Sequence, residues 1–168
     1  MKTFQVANIK DMMAHLLLGE TFDEWLLAEA QVTTFCTFNI SGFFQKAYDA
    51  ADAAEPANTE AAVLVPWKRV REFCFSLMRG ERTPIAFRLS FVLPPEKAHE
   101  FLTSNGAQPC PDDLSGLYMN IAFRNRRLMI TVLTSRQRFC MDKQLDAAWT
   151  EYVEAQLKNL GVTVKALR

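Results

Sequence analysis

Leu117-Tyr118-Met119-Asn120-Ile121-Ala122-Phe123, Arg124-Asn125-Arg126-Arg127 and Leu128-Met129-Ile130-Thr131-Val132-Leu133 follow one another without a break. On either side of the four polar residues, every second side chain is apolar: Leu117, Met119, Ile121 and Phe123, then Leu128, Ile130 and Val132. A period of two with one apolar face marks a strand lying on a core. Asn125 tolerates the left-handed backbone of a tight hairpin turn. Residues 117–133 therefore read as two antiparallel strands, and the rest of the chain has to supply the sheet around them and the helices that cover it.

Upstream, Ile85 to Leu93 is a further strand stopped by Pro94-Pro95. Glu96 to Leu102 follows as a short helix, and Thr103 to Ser115, with Pro109 and Pro111, as a loop. Before that strand, Val70, Phe73, Cys74, Leu77 and Met78 form the apolar stripe of a helix that begins near Pro66 and is capped by Gly80, with Val63-Leu64-Val65 as a short strand ahead of it. The first half has the same order. Thr3 to Val6 is a strand, and Asn8 caps a helix with Ile9, Met12, Met13, Leu16 and Leu17 on one stripe and Gly19 as a left-handed cap. Trp25 to Ala30 and Val32 to Ile40 read as strands, and after the Ser41-Gly42 turn Phe43 to Tyr48 reads as a returning strand. The last helix is capped by Asp142 and carries Leu145, Ala148, Trp149, Tyr152, Val153, Leu157 and Leu160 on its stripe up to Gly161, with Val162 to Val164 as an edge strand.

Shifting the chain by 61 positions sets Ile9-Lys10-Asp11-Met12-Met13 over Val70-Arg71-Glu72-Phe73-Cys74, Leu16-Leu17 over Leu77-Met78, and Gly19-Glu20 over Gly80-Glu81. The expectation is a single α+β domain, 1–168, made of duplicated βαβββ units. The units cover about 1–48 and 63–140, joined by an acidic linker 49–62, with residues 94–116 inserted in the second. Together they form an antiparallel sheet with helices on one side, plus a C-terminal helix at about 142–160.

This order, with Val65-Pro66 leading a helix and Arg126-Arg127-Leu128-Met129-Ile130-Thr131-Val132 running towards Arg138-Phe139, resembles one sliding-clamp domain. The resemblance implies paired helices over a curved sheet. A clamp ring needs several such domains, so encircling DNA would require this chain to self-associate. Glu20-Thr21-Phe22-Asp23, Val32-Thr33-Thr34-Phe35 and the run from Thr134-Ser135 to Trp149 also resemble a family of uncharacterised bacterial proteins common in clostridia. That family has no assigned activity, so the likeness carries over no catalytic residues.

With 168 residues, 49% of them hydrophobic, the chain can bury a core without disulfides or metal. Cys36, Cys74, Cys110 and Cys140 form no CxxC or CxH pair and read as reduced, packed thiols. The longest apolar run near the N-terminus is Leu16-Leu17-Leu18, too short for a signal peptide or membrane span, and a cytoplasmic protein is expected. Lys plus Arg and Asp plus Glu both number 19, but they are unevenly placed: the net charge is −6 over residues 1–62, +6 over 63–140 and 0 over 141–168.

Few residues offer chemistry. Asp11 and His15 stand four apart on one helix face, as a general base and its orienter would, or as an exposed pair. His99 lies beside Glu100, and Asp112-Asp113 in the Pro-rich loop reads as solvated charge. No HxxxH, HExxH or CxxC offers a metal site, the six glycines stand too far apart for a phosphate-cradling loop, and Ser115-Gly116 does not complete a nucleophile elbow. No cofactor is expected. The constellation above background is basic. Lys68, Arg69, Arg71, Arg79 and Arg82 belong to the second helix and its exit, and Arg124, Arg126, Arg127, Arg136 and Arg138 to the hairpin and beyond. These could neutralise phosphates without reading sequence, or be solvated charges compensated by the acidic first half. Phe73, Phe87, Phe91 and Phe123 read as core, Trp67 and Trp149 as core or interface. The functional expectation is a non-enzymatic binding or assembly module with a protein partner or a second copy of itself, joined through sheet edges or the Trp149 helix. The alternatives are nucleic-acid binding through the second-half arginines and a small enzyme of unknown reaction built on His15.

Overall fold

In the computed structural model, which describes residues 1–49, 63–105, 114–137 and 143–167, the elements run in chain order as follows. β1 is Lys2–Val6, α1 Ile9–Leu17, β2 Leu26–Thr33, β3 Thr37–Ser41, α2 Lys46–Asp49 and β4 Val65–Pro66. Then come α3 Trp67–Met78, β5 Ala86–Val92, α4 Pro95–Ser104, β6 Leu114–Arg124, β7 Arg127–Arg136, α5 Gln144–Asn159 and β8 Val164–Leu167. The fold class is α+β. The strands form one antiparallel sheet in the order β3-β2-β5-β6-β7-β1-β8, with β4 paired to β2.

The hairpin at residues 117–133 is the middle of this sheet. Its inner positions continue across the neighbours: Phe4, Ile130, Ile121, Leu89 and Ala30 lie in one row over five strands, all buried. Met12 and Leu16 of α1, Trp67 and Cys74 of α3, and Trp149, Val153 and Leu157 of α5 belong to the same buried cluster. The outer row, Thr3, Thr131, Asn120, Ser90 and Glu29, is polar and closes on itself. Thr3 and Thr131 share a hydrogen bond of 3.1 Å, and the Ser90 hydroxyl donates to Asn120 at 2.6 Å. Helices therefore cover one face while water reaches the other, the usual arrangement for an antiparallel sheet whose strands alternate in polarity.

Several expectations shift, each for a local reason. The strands expected at 25–30 and 32–40 are divided instead by a turn at Thr34 to Cys36, closed by the Thr34 N–H on the Cys36 carbonyl at 2.9 Å. Cys36 is consequently exposed, not packed. No strand returns over Phe43 to Tyr48. β3 uses the side of β2 from Glu29 onward, β4 takes Leu26 and Leu27, and Phe43 is left with one bridge to Leu64 before α2 begins. Gly42 marks the departure: a Cβ there would stand 1.6 Å from the Leu27 carbonyl oxygen. Phe73, expected in the core, is 68% exposed. The Trp67 indole N–H donates to the Leu16 carbonyl at 2.9 Å, and α3 is rotated so that Trp67, Cys74 and Met78 face inward.

Helix ends differ too. α1 and α3 end at Leu18 and Arg79 with negative φ, so Gly19 and Gly80 do not act as left-handed caps, whereas Gly161, at φ 73, turns the chain out of α5. Asn8 does not cap α1 through its side chain. It donates to Asp11 at 2.9 Å and to the Gly161 carbonyl at 3.1 Å, and accepts the Thr163 N–H at 2.9 Å, tying the chain start to α5 and β8. The edge strand expected at 162–164 forms two residues later as β8. The acidic linker beyond Asp49, Pro109 and Pro111, Asp112-Asp113, Cys110, Arg138, Cys140 and Asp142 lie outside the described residues.

Candidate binding surface at the hairpin end

Helix α3 runs beside β2 and joins the two ends of the sheet. At twelve residues it spans about 18 Å. It starts where β2 starts, with the Trp67 N–H on the Trp25 carbonyl at 2.7 Å and the Lys68 N–H on the Asp23 carbonyl at 3.2 Å. It exits towards Ile85, whose N–H reaches the Thr33 carbonyl at 2.9 Å at the far end of β2. Arg124 is opposite Ala86, and Ala86 opposite Thr33, so the β6–β7 turn lies at this second end. The sequence-derived basic residues are thereby split between a helix-start end and a hairpin end.

At the helix-start end, acidic residues of the first half meet the basic ones. Arg71, 18% exposed, is ion-paired to Asp23, 17% exposed, and donates to the Gly19 carbonyl as well. Lys97 of α4 pairs with Glu24. That hydrogen bond and the Lys97 charge, with Lys68 adding a smaller effect, hold the Glu24 carboxyl below the usual range. Arg69 stacks its guanidinium 5.6 Å from the centre of the Phe44 ring. On the outer sheet face Arg88 reaches Glu29 at 3.6 Å.

The hairpin end is different. Arg79 follows the last turn of α3, Arg82 lies in the α3–β5 loop, and Arg124 and Arg127 are direct cross-strand neighbours. Asn125 and Arg126 both take positive φ, 52 and 59, as a two-residue hairpin turn requires. All five arginines are exposed, and among the described residues none of their side chains has an ion-pair or hydrogen-bond partner. Like charges set directly opposite each other across a ladder repel, so Arg124 and Arg127 do nothing for the hairpin itself. Glu81 is the acidic side chain of the same loop.

At the same end, on the helix-covered face and with Arg79 in its wall, opens an apolar groove of about 200 Å³, while Arg124 and Arg127 occupy outward strand positions. Met13 and Leu17 of α1, Phe75 and Met78 of α3, and Phe87 and Phe123 of the sheet line it, the last two rings stacked at 5.4 Å. Thr83, Pro84 and Arg79 complete the wall. Two large apolar side chains stand out to solvent at the same end, Ile85 at 67% and Phe35 at 91% exposure.

A family model described as "Family of unknown function (DUF5721)" matches residues 15–164, which take in all five hairpin-end arginines. The chain belongs to that family. No curated protein and no solved structure matches the chain.

The other candidates are separated. Asp11 takes the Asn8 amide, while His15 contacts the Leu160 carbonyl at 3.0 Å, so neither serves the other. His99 is exposed on α4, whose Phe101 and Leu102 are buried. Cys74 is wholly buried, and desolvation pushes its thiol up to about 12, where it is unreactive at neutral pH. Among the described residues no three His, Cys, Asp or Glu side chains converge as a metal site would need, and no helix is long and apolar enough to cross a membrane. The groove was not legible as a site. Met13, Leu17 and Met78 follow the core stripes of their helices, and only the folded chain shows that the end of those stripes stays uncovered.

Proposed function

We propose that this chain is a non-enzymatic binding module and that the hairpin end is the surface that meets a protein partner. The observation that carries the reading is the gathering of five exposed arginines, without ion-pair partners among the described residues, at the end of the sheet where an apolar groove opens. Arginine beside uncovered apolar surface is what protein interfaces enrich, because the guanidinium pairs planar carboxylates and is weakly hydrated. Phosphate backbones would use the arginines but not the groove, Ile85 or Phe35, which favours protein over nucleic acid.

Fluorescence anisotropy at low ionic strength, with labelled polyglutamate and a generic duplex DNA of matched charge, tests this. Polyglutamate should bind, and lose about tenfold in affinity when Arg124, Arg126 and Arg127 become Ala, since exposed ion pairs contribute roughly 0.5 kcal/mol each. Duplex DNA bound far more tightly, and through the same arginines, would replace the protein reading by the nucleic-acid one. Absence of binding to either polyanion would withdraw the surface altogether.

The partner in this reading includes a second copy of the chain. The likeness to one sliding-clamp domain belongs here too, supported by contact between α1 and α3 and by antiparallel pairing of the strands that follow them, β2 and β5. Kinship with clostridial proteins rests on Glu20 to Asp23, Val32 to Phe35 and Thr134 to Trp149. A cytoplasmic location is supported by the free thiols of Cys36 and Cys74.

A further inference from the structure

We infer that the groove between α1, the end of α3 and the Phe87–Phe123 pair takes an acidic amphipathic helix of a partner protein, seating one or two apolar side chains while its carboxylates meet Arg79 and Arg82. The inference rests on the reading of the hairpin end as a binding surface and names what that surface holds. Size sets the first limit. A dry apolar cavity of about 150 Å³ accommodates a benzene ring, so about 200 Å³ has room for one large or two smaller apolar side chains, not for a folded face.

Charge sets the second. Arg79 is on the groove wall beside Thr83 and Pro84, and Arg82 lies one residue before that wall, whereas Arg124 and Arg127, each one strand position from an inward residue, are set on the outer face of the sheet. An apolar anchor entering here meets Arg79 on the wall and Arg82 beyond it, with Glu81 the acid of that loop. A segment with Lys or Arg next to its anchors is repelled, and one with Glu or Asp makes pairs that lie partly out of water.

Backbone chemistry sets the third. β5 and β6, which supply Phe87 and Phe123, are paired on both sides, β5 to β2 and β6, and β6 to β5 and β7. An extended peptide therefore finds no open strand edge at the groove and would leave its own N–H and C=O groups unsatisfied against an apolar wall. A helix satisfies them internally and presents anchors at i and i+4, the helix-in-groove mode.

The probe is a synthetic helical peptide of about 18 residues with Leu at i, i+4 and i+7 and Glu at the flanking positions. One control replaces every Leu by Ala, and a second replaces every Glu by Lys. Anisotropy should show the Leu–Glu peptide binding at least tenfold more tightly than the Ala control and the Lys control not binding. Thr83→Trp, an exposed substitution that fills the groove, should weaken the Leu–Glu peptide by at least tenfold and leave polyglutamate within about twofold. A second readout needs no variant: the methyl resonances of Met13 and Met78 should move on titration, while those of Met119 and Met129 should not. Equal affinity for the Leu–Glu and Ala peptides, or unmoved Met13 and Met78, overturns the helix proposal while polyglutamate binding keeps the surface. Loss of polyglutamate binding as well removes both.

Discussion

The two ends of the sheet share the same kind of basic residue and treat it in opposite ways. At the helix-start end Arg71 is held by Asp23 and Gly19, Lys97 by Glu24, and Arg69 by the Phe44 ring, so the acidic first half of the chain neutralises part of the basic second half. At the hairpin end Arg79, Arg82, Arg124, Arg126 and Arg127 have no such partner among the described residues, and an uncovered apolar groove opens at the same end with Arg79 in its wall. Charge count alone does not separate these cases. Placement does, because a half-buried, hydrogen-bonded pair stabilises the fold whereas an exposed lone cation is free to pair with something else.

The comparison is most exposed to failure at Trp67, which fixes the start of α3 through its indole bond to Leu16 and an edge contact with Phe91 at 5.1 Å. Trp67→Ala should cost about 3–5 kcal/mol in denaturant unfolding. A cost below about 1 kcal/mol would mean that the helix-start end is not the structural one. Next in size is Asp23→Ala, which leaves Arg71 half-buried without its carboxylate and should cost about 1–3 kcal/mol. Arg124→Ala and Arg127→Ala, measured in the same way, should each stay within about 0.5 kcal/mol of the parent chain. Arg126 sharpens the contrast, since its left-handed backbone is strained for a residue with a Cβ. Arg126→Gly should raise stability by about 1 kcal/mol and yet weaken polyglutamate binding, opposite signs that a purely structural arginine would not give. The smallest effect on stability, and the simplest to read, concerns the thiols. Peptide mapping after alkylation at neutral pH should find Cys36 modified in the folded chain and Cys74 only after unfolding.

Much of the fold was written in periodicity. The alternation at 117–133 led directly to β6 and β7, and the stripes at 9–17 and 145–160 to α1 and α5. What escaped was tertiary competition. Nothing local to Phe43 says that β4 will occupy the side of β2 it would have joined, and nothing local to Phe73 says that the Trp67 indole will rotate α3 away from it. The duplicated pattern is not confirmed: β2 and β5, the strands after α1 and α3, meet in the sheet, but among the described residues the first half has no counterpart of β7. The arginines were visible as a set, but their division was not. Asp23 and Arg71 are 48 residues apart in sequence, and only the fold brings them together.

The central claim is that the hairpin end, and not positive charge in general, binds an acidic partner. Its most direct test removes the same charge from each end: Arg124, Arg126 and Arg127 to Ala in one variant, Lys68, Arg69 and Lys97 to Ala in the other, with polyglutamate affinity measured by anisotropy at one low salt concentration. The hairpin-end variant should lose about tenfold and the helix-start variant no more than about twofold. Equal losses, or a larger loss at the helix-start end, would contradict the account.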